Sequence, residues 1–108
     1  MFAREGTVRL RGQGDTSSMI ARRFLVSGRV QGVGFRFFIT RTAARLGVTG
    51  WTRNLADGRV EVMAQGNREA LEALKADLSS GPRTARVLDL EIGDETPDVT
   101  LMDFNVRY

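Results

Sequence analysis

Cysteine and histidine are both absent from the 108-residue sequence. Without cysteine the chain has no disulfide framework, no thiolate metal site and no thiol nucleophile. Without histidine it lacks the usual general base and the usual zinc ligand, and every Ser–His or Cys–His arrangement is excluded. Any catalysis by this chain must therefore depend on other groups.

Long apolar runs are missing as well. No stretch approaches the roughly 20 residues that span a bilayer, and the N-terminus has no continuous apolar segment of the signal-peptide type. The sequence therefore predicts a cytoplasmic protein without membrane attachment.

Lysine is nearly absent, since Lys75 is the one lysine among 16 basic residues, and 13 acidic residues leave a net charge of +3. A nucleic-acid-binding protein usually carries a clustered basic face. Here the arginines alternate along the chain with acidic residues, namely Asp57, Glu61, Glu69, Glu72, Asp89 and Glu91. We therefore predict no nucleic-acid partner, although small anions remain suitable ligands.

The length and a hydrophobic content of 42% suit one small domain with a modest core. Residues 1–20 hold scattered charges, glycine and serine without sustained periodicity, which is typical of a disordered extension. We predict such an extension over residues 1–20 and a single domain over residues 21–108.

Two amphipathic helices are predicted from apolar residues at helical spacing. The first begins near Phe35 and ends at Gly47, because glycine is a frequent residue just past a helix. The second covers residues 68–79, with Asn67 as its capping residue and Gly81-Pro82 as its stop.

Five short runs have the composition of strands: "RRFLVSGRV", "VTGWTRN", "GRVEVMAQ", "ARVLDLEI" and "DFNVRY". Asp57-Gly58 predicts a hairpin turn between the second and third runs. The order is therefore β-α-β-β-α-β with a short fifth strand. It predicts an α+β fold, the ferredoxin-like sandwich, in which an antiparallel sheet carries two helices on one face.

The stretch "GRVQGVGFRFF" places three glycines ahead of Arg36 and the first helix. It matches neither the P-loop nor the dinucleotide fingerprint, since no Gly-Lys occurs and the third glycine of G-x-G-x-x-G is missing. Free backbone N–H groups at a glycine turn and helix start can hold an anion, and Arg36 could bind phosphate there. A tight turn with a solvated Arg36 explains the spacing equally well.

Two longer segments, "VSGRVQGVGFR" and "GWTRNLADGRVEVMAQG", resemble the acylphosphatase family in the correct order. The resemblance continues through "PRTARV" to the terminal "FNVRY". It implies a ferredoxin-like fold and the hydrolysis of acyl phosphates to a carboxylate and inorganic phosphate, without metal or other cofactor. It also implies catalytic roles for Arg36 and Asn54. The segment implied to bind the substrate phosphate comprises Gln31, Gly32, Val33, Gly34, Phe35 and Arg36.

Departures from the family pattern are small: Thr52 replaces a more apolar residue, and Ala56 stands where proline is frequent. Both concern strand and turn rather than chemistry. The expected partners are a small acyl phosphate and inorganic phosphate, and the expected state is a monomer.

The residues also allow structural interpretations. Without the family resemblance, Asn54 is a suitable turn residue. Trp51 is expected in the core and Glu61 on the strand surface. The three phenylalanines Phe35, Phe37 and Phe38 are expected to serve packing.

Three alternative functions follow from the same sequence. The glycine segment could bind a phosphorylated ligand without turning it over. An RNA-binding domain of the same fold is disfavoured because "VEVMAQ" lacks aromatic residues for base stacking. The chain also resembles the acylphosphatase-like domain that opens larger carbamoyl-transfer maturation proteins, although no zinc-binding cysteines follow it.

Overall fold

The computed structural model describes residues 19–108, so the extension predicted for residues 1–20 lies almost wholly outside the described part. The predicted order of elements is confirmed. The elements are β1 (Ile20–Arg29), α1 (Phe35–Leu46), β2 (Thr49–Asn54), β3 (Val60–Gly66), α2 (Arg68–Ser80), β4 (Arg86–Glu95) and β5 (Phe104–Val106).

The five strands form one sheet in the order β4-β1-β3-β2-β5. The first four pair antiparallel, as predicted. The fifth differs, because β5 pairs parallel to β2, with Phe104 opposite Gly50. The reason is topological: β4 runs opposite to β1, the chain then reverses once more, and β5 therefore runs in the direction of β2. The ferredoxin-like fold is confirmed with a mixed rather than a wholly antiparallel sheet.

The helix ends follow the local signals in the sequence. The backbone N–H of Gly47 donates to the carbonyl oxygens of Ala43 and Ala44, which closes α1. The side chain of Asn67 accepts a hydrogen bond from the N–H of Ala70 at 2.8 Å and so caps α2. Neither helix in the described part is long and apolar enough to cross a membrane.

The core lies between the two helices and one face of the sheet. Apolar residues from both layers are fully buried there. Burial of their apolar surface stabilises the fold by about 25 cal/mol per Å². The largest of them are Phe24, Val26, Phe35, Ile39, Val60, Val62, Leu71, Leu74 and Leu78. Packing α1 on the sheet fixes the start of α1 next to the ends of β1 and β2.

Two predictions about the opposite face of the sheet are wrong. Glu61 was assigned to the strand surface, but it is only 3% exposed, because Arg23 and Arg53 both donate to its carboxylate. Trp51 was assigned to the core, yet it lies half-buried on this face. The guanidinium carbons of Arg53 and Arg107 lie 5.3 and 4.6 Å from its ring centroid. Among the described residues, long arginine side chains thus cover the part of this face around Glu61 and Trp51.

Candidate active site

A glycine loop, residues 30–34, connects β1 to α1. Gly32 and Gly34 have φ angles of 73° and 78°, in the left-handed region that other residues rarely adopt. No atom would crowd a side chain at either position, so the backbone conformation is what requires glycine there. Within residues 19–108, the backbone N–H groups of residues 32–37 donate to no backbone carbonyl. These donors are free to bind an anion.

Two side-chain hydrogen bonds hold the glycine loop in place. The amide nitrogen of Gln31 donates to the carbonyl oxygens of Leu55 and Arg59, at 2.8 and 2.9 Å. On the other side, the hydroxyl of Thr84 donates to the carbonyl oxygen of Val33 at 2.7 Å. The loop is therefore tied both to the β2–β3 turn and to the segment before β4.

Arg36 is the second residue of α1 and is half-buried. The first turn of α1 contains no acidic residue, and within the described part of the chain no carboxylate pairs with Arg36. Its guanidinium carbon lies 5.2 Å from the ring centroid of Tyr108. A cation at the positive end of a helix dipole, without an acidic partner, is suited to an anionic ligand.

Asn54 is the last residue of β2, and Val60 lies opposite it on β3. Its Oδ1 atom is buried and has no hydrogen-bond partner among residues 19–108. A buried polar atom without a partner costs about 1–3 kcal/mol, so it requires an explanation. A water molecule or substrate group would satisfy this oxygen.

Arg36 and Asn54 line the same cleft, which has a volume of about 370 Å³. The structure therefore brings together the two residues to which the family resemblance assigns catalysis. The whole lining is Val30, Gly32, Gly34, Phe35, Arg36, Phe37, Thr40, Asn54, Val106 and Tyr108. Gln31 and Val33, also predicted to bind phosphate, do not line it, and the side chain of Gln31 is engaged with the turn instead.

The sequence did not indicate five of the lining residues, namely Val30, Phe37, Thr40, Val106 and Tyr108. Thr40 could have been found, because it lies four residues after Arg36 on the helix, and its hydroxyl donates to the carbonyl oxygen of Arg36 at 2.8 Å. Val106 and Tyr108 had no such signal, since they reach the cleft through the parallel pairing of β5. Phe37 was assigned to packing, but it is 65% exposed at the rim.

No acidic side chain is found among the described residues that line the cleft. The nearby Asp57 is engaged in the β2–β3 turn, where the hydrogen bond from the Arg59 side chain lowers its pKa. Among residues 19–108, no group of three or more acidic side chains is placed to hold a metal ion. The arrangement offers N–H donors, one guanidinium and one free amide oxygen, a set suited to a tetrahedral anion and a water.

Comparisons with known proteins match one family over most of this chain. The family model described as Acylphosphatase matches residues 22–106. An acylphosphatase of Koribacter versatilis is 50% identical over 92 residues, which cover 85% of this chain and 84% of that protein. The structure of an acylphosphatase from Coxiella burnetii matches with a TM-score of 0.80 at 34% identity, over 88% of this chain and 99% of that one.

The fold also occurs within a larger protein. The crystal structure of T. kodakarensis HypF matches with a TM-score of 0.73 at 32% identity, over 82% of this chain but 12% of that one. Because the family model spans most of the sequence, and the acylphosphatase relatives align over most of their own length, this chain belongs to the acylphosphatase family.

Proposed function

We propose that the chain hydrolyses acyl phosphates in the cleft between the glycine loop and β2, with Arg36 binding the phosphate and Asn54 orienting the attacking water. The observation that carries this assignment is the buried Oδ1 of Asn54, which has no hydrogen-bond partner among residues 19–108 and belongs to the same cleft as Arg36. Family membership supports the reaction, and the cleft geometry supports the roles of the two residues.

Phosphate binding would use three contributions that converge at the start of α1. The N–H groups of the cleft-lining residues among 32–37 donate to phosphate oxygens, and the helix dipole favours negative charge at this end. The guanidinium of Arg36 adds paired donors whose planar geometry matches phosphate. Without an anion, Arg36 at this end of the helix costs about 0.3–1 kcal/mol, and a bound phosphate reverses the sign of that term.

The reaction needs little beyond positioning. The oxygen of water attacks phosphorus, the bond from phosphorus to the acyl oxygen breaks, and the carboxylate leaves, while the water proton passes to the phosphate product or to solvent. A carboxylate leaving group has a pKa of about 4, so it departs without a strong acid. A loose phosphoryl-transfer transition state mainly requires alignment and charge stabilisation. A chain without histidine or cysteine can supply both.

Asn54 acts on the water rather than on the phosphate. Its amide accepts one hydrogen bond and donates others, so it can hold a water in line with the scissile bond, although an amide is not a general base. A site that only binds a phosphorylated ligand would not need this acceptor. The Asn54 observation therefore favours hydrolysis over the binding module.

The test combines benzoyl phosphate hydrolysis with calorimetry of inorganic phosphate binding. Arg36→Ala should weaken phosphate binding and lower kcat/KM by about 10²-fold or more. Asn54→Ala should keep phosphate affinity while kcat falls by roughly 10²-fold. Arg36→Lys should recover little, because a point charge does not reproduce the planar two-donor contact.

Matched controls separate these effects from general damage. Arg68→Ala and Asn105→Ala remove an exposed arginine and an exposed asparagine outside the cleft lining, and both should keep wild-type kinetics. Phosphate binding without turnover of benzoyl phosphate by the wild-type chain would instead favour the binding module. Loss of phosphate affinity in Asn54→Ala would contradict the division of roles.

Cytoplasmic location and a monomeric state stay predictions.

A further inference from the structure

A second cleft, of about 660 Å³, lies beside the first. The two share Gly34 and Phe37, so they meet at the start of α1. The remaining lining of the second cleft is Val33, Phe38, Arg41, Thr42, Arg45, Pro82 and Thr84. A substrate whose phosphate occupies the first cleft therefore has a continuous surface over Phe37 along which its acyl group can extend.

Phe37 lines both clefts, and its ring is exposed. Its side chain is 65% exposed, whereas the neighbouring Phe35 is buried in the core. Arg41 follows one helical turn later on the same side of α1, and its guanidinium carbon lies 5.5 Å from the ring centroid of Phe37. The ring of Phe37 therefore forms an apolar face, and the guanidinium of Arg41 places a cation beside it.

The two arginines of the second cleft differ in their partners. Arg45 donates to the carboxylate of Asp77 on α2 at 2.8 Å. Arg41 pairs with no carboxylate within residues 19–108, and its guanidinium lies over the aromatic ring of Phe37. The described lining contains no acidic side chain. Arg41 therefore leaves a positive charge in this cleft that no other lining residue balances.

From this juxtaposition we infer that the second cleft is the acyl-group subsite and that it favours acyl phosphates whose acyl group carries a second anionic group. This inference rests on the proposed function of the first cleft. Phe37 supplies the apolar contact to the body of the acyl group, and Arg41 supplies the charge that selects among acyl groups. Arg41 thus determines specificity without touching the reacting atoms.

The test compares benzoyl phosphate with 4-carboxybenzoyl phosphate, a rigid pair that differs by one carboxylate. The measured quantity is the ratio of kcat/KM for the two substrates, so that changes common to both cancel. The wild-type ratio should favour the carboxylated substrate. Arg41→Gln should lower this ratio by about threefold, which is the size expected for one partly exposed charge pair. The change should appear in KM rather than in kcat and should shrink at high salt.

Matched variants complete the experiment. Arg41→Lys keeps the charge and should retain most of the preference, and Phe37→Ala should raise KM for both substrates. Arg68→Gln removes one positive charge at the start of α2, outside the lining of both clefts, and should leave the ratio at its wild-type value. An unchanged ratio in Arg41→Gln, with both substrates still hydrolysed, would overturn the subsite alone. Failure of the wild-type chain to hydrolyse either substrate would overturn the proposed function instead.

Discussion

The side-chain nitrogen of Gln31 donates to the backbone carbonyl oxygen of Leu55 at 2.8 Å, across 24 positions of sequence. Gln31 belongs to the glycine loop, and Leu55 directly follows Asn54. One side chain therefore connects the backbone that would hold the phosphate to the strand end that would hold the water.

Gln31→Ala is expected to lower kcat more than it weakens phosphate binding. The loop keeps its N–H donors, but its position relative to Asn54 is no longer fixed, and small misplacements of a nucleophile cost roughly 10- to 10²-fold. Gln31→Glu should be at least as damaging, because its carboxylate would face two carbonyl oxygens. Steady-state kinetics and phosphate calorimetry, with circular dichroism to check folding, measure both effects. Wild-type kcat in Gln31→Ala would show that the connection is unnecessary.

Gly34→Ala is expected to weaken phosphate binding and to destabilise the fold. At a φ of 78°, a residue with a side chain costs about 1–2 kcal/mol, and relief of that strain would turn the N–H groups away from the cleft. Thermal unfolding and phosphate calorimetry test this. Gly93→Ala on β4 is the control, because Gly93 has no positive φ and a side chain there meets open space. Equal effects of the two changes would contradict a special role for the loop conformation.

The buried carboxylate of Glu61 should make stability depend on pH. Burial raises the pKa of Glu61, but the hydrogen bonds from Arg23 and Arg53 outweigh burial and hold it below its ordinary value. The ionised group therefore stabilises the fold above about pH 4.3, the usual pKa of glutamate. This contribution is lost as the pH falls through the lowered pKa.

Glu61→Gln should accordingly be less stable than wild type at pH 7, with a difference that narrows towards pH 3. Urea unfolding at several pH values measures it. Glu69→Gln, a matched change at an exposed position, should remain near wild type throughout. A Glu61→Gln protein with the full wild-type dependence on pH would refute the assignment.

Hydrolysis of benzoyl phosphate is expected to survive exhaustive treatment with a chelator. The proposed chemistry uses N–H donors, a guanidinium and an amide, none of which needs a metal partner. The rate should be measured before and after dialysis against EDTA. A rate that collapses and returns with Mg²⁺ or Zn²⁺ would contradict the proposed mechanism.

Local signals in the sequence were sufficient for most of the fold. Gly47, Asn67 and Asp57-Gly58 act through the conformation of their own backbone or through hydrogen bonds to near neighbours, so their effects could be predicted without the rest of the chain. The family motifs likewise indicated Arg36 and Asn54. What they could not give is the free Oδ1 of Asn54, which depends on the atoms that surround it.

The errors concern the outer face of the sheet and the cleft rim. Alternation in β3 assigns Glu61 to one face but does not tell what covers that face, and here two arginines from neighbouring strands bury it. Trp51 was assigned to the core, but the sequence does not tell which face of β2 packs against the helices. The pairing of β5 with β2 is long-range, so nothing near Val106 indicated that it lines the cleft.

The cleft is lined by residues from nearly opposite ends of the described chain, since Val30 follows β1 and Val106 ends β5. Contacts of such large sequence separation form slowly during folding, because a long loop must close first. During synthesis, the chain must also extend past Val106 before this wall of the cleft can dock beside β2. Arg36 and Asn54 are synthesised much earlier, before this wall of the cleft can form. Hydrolytic activity should therefore appear late in folding, as a reporter of the complete domain rather than of the glycine loop alone.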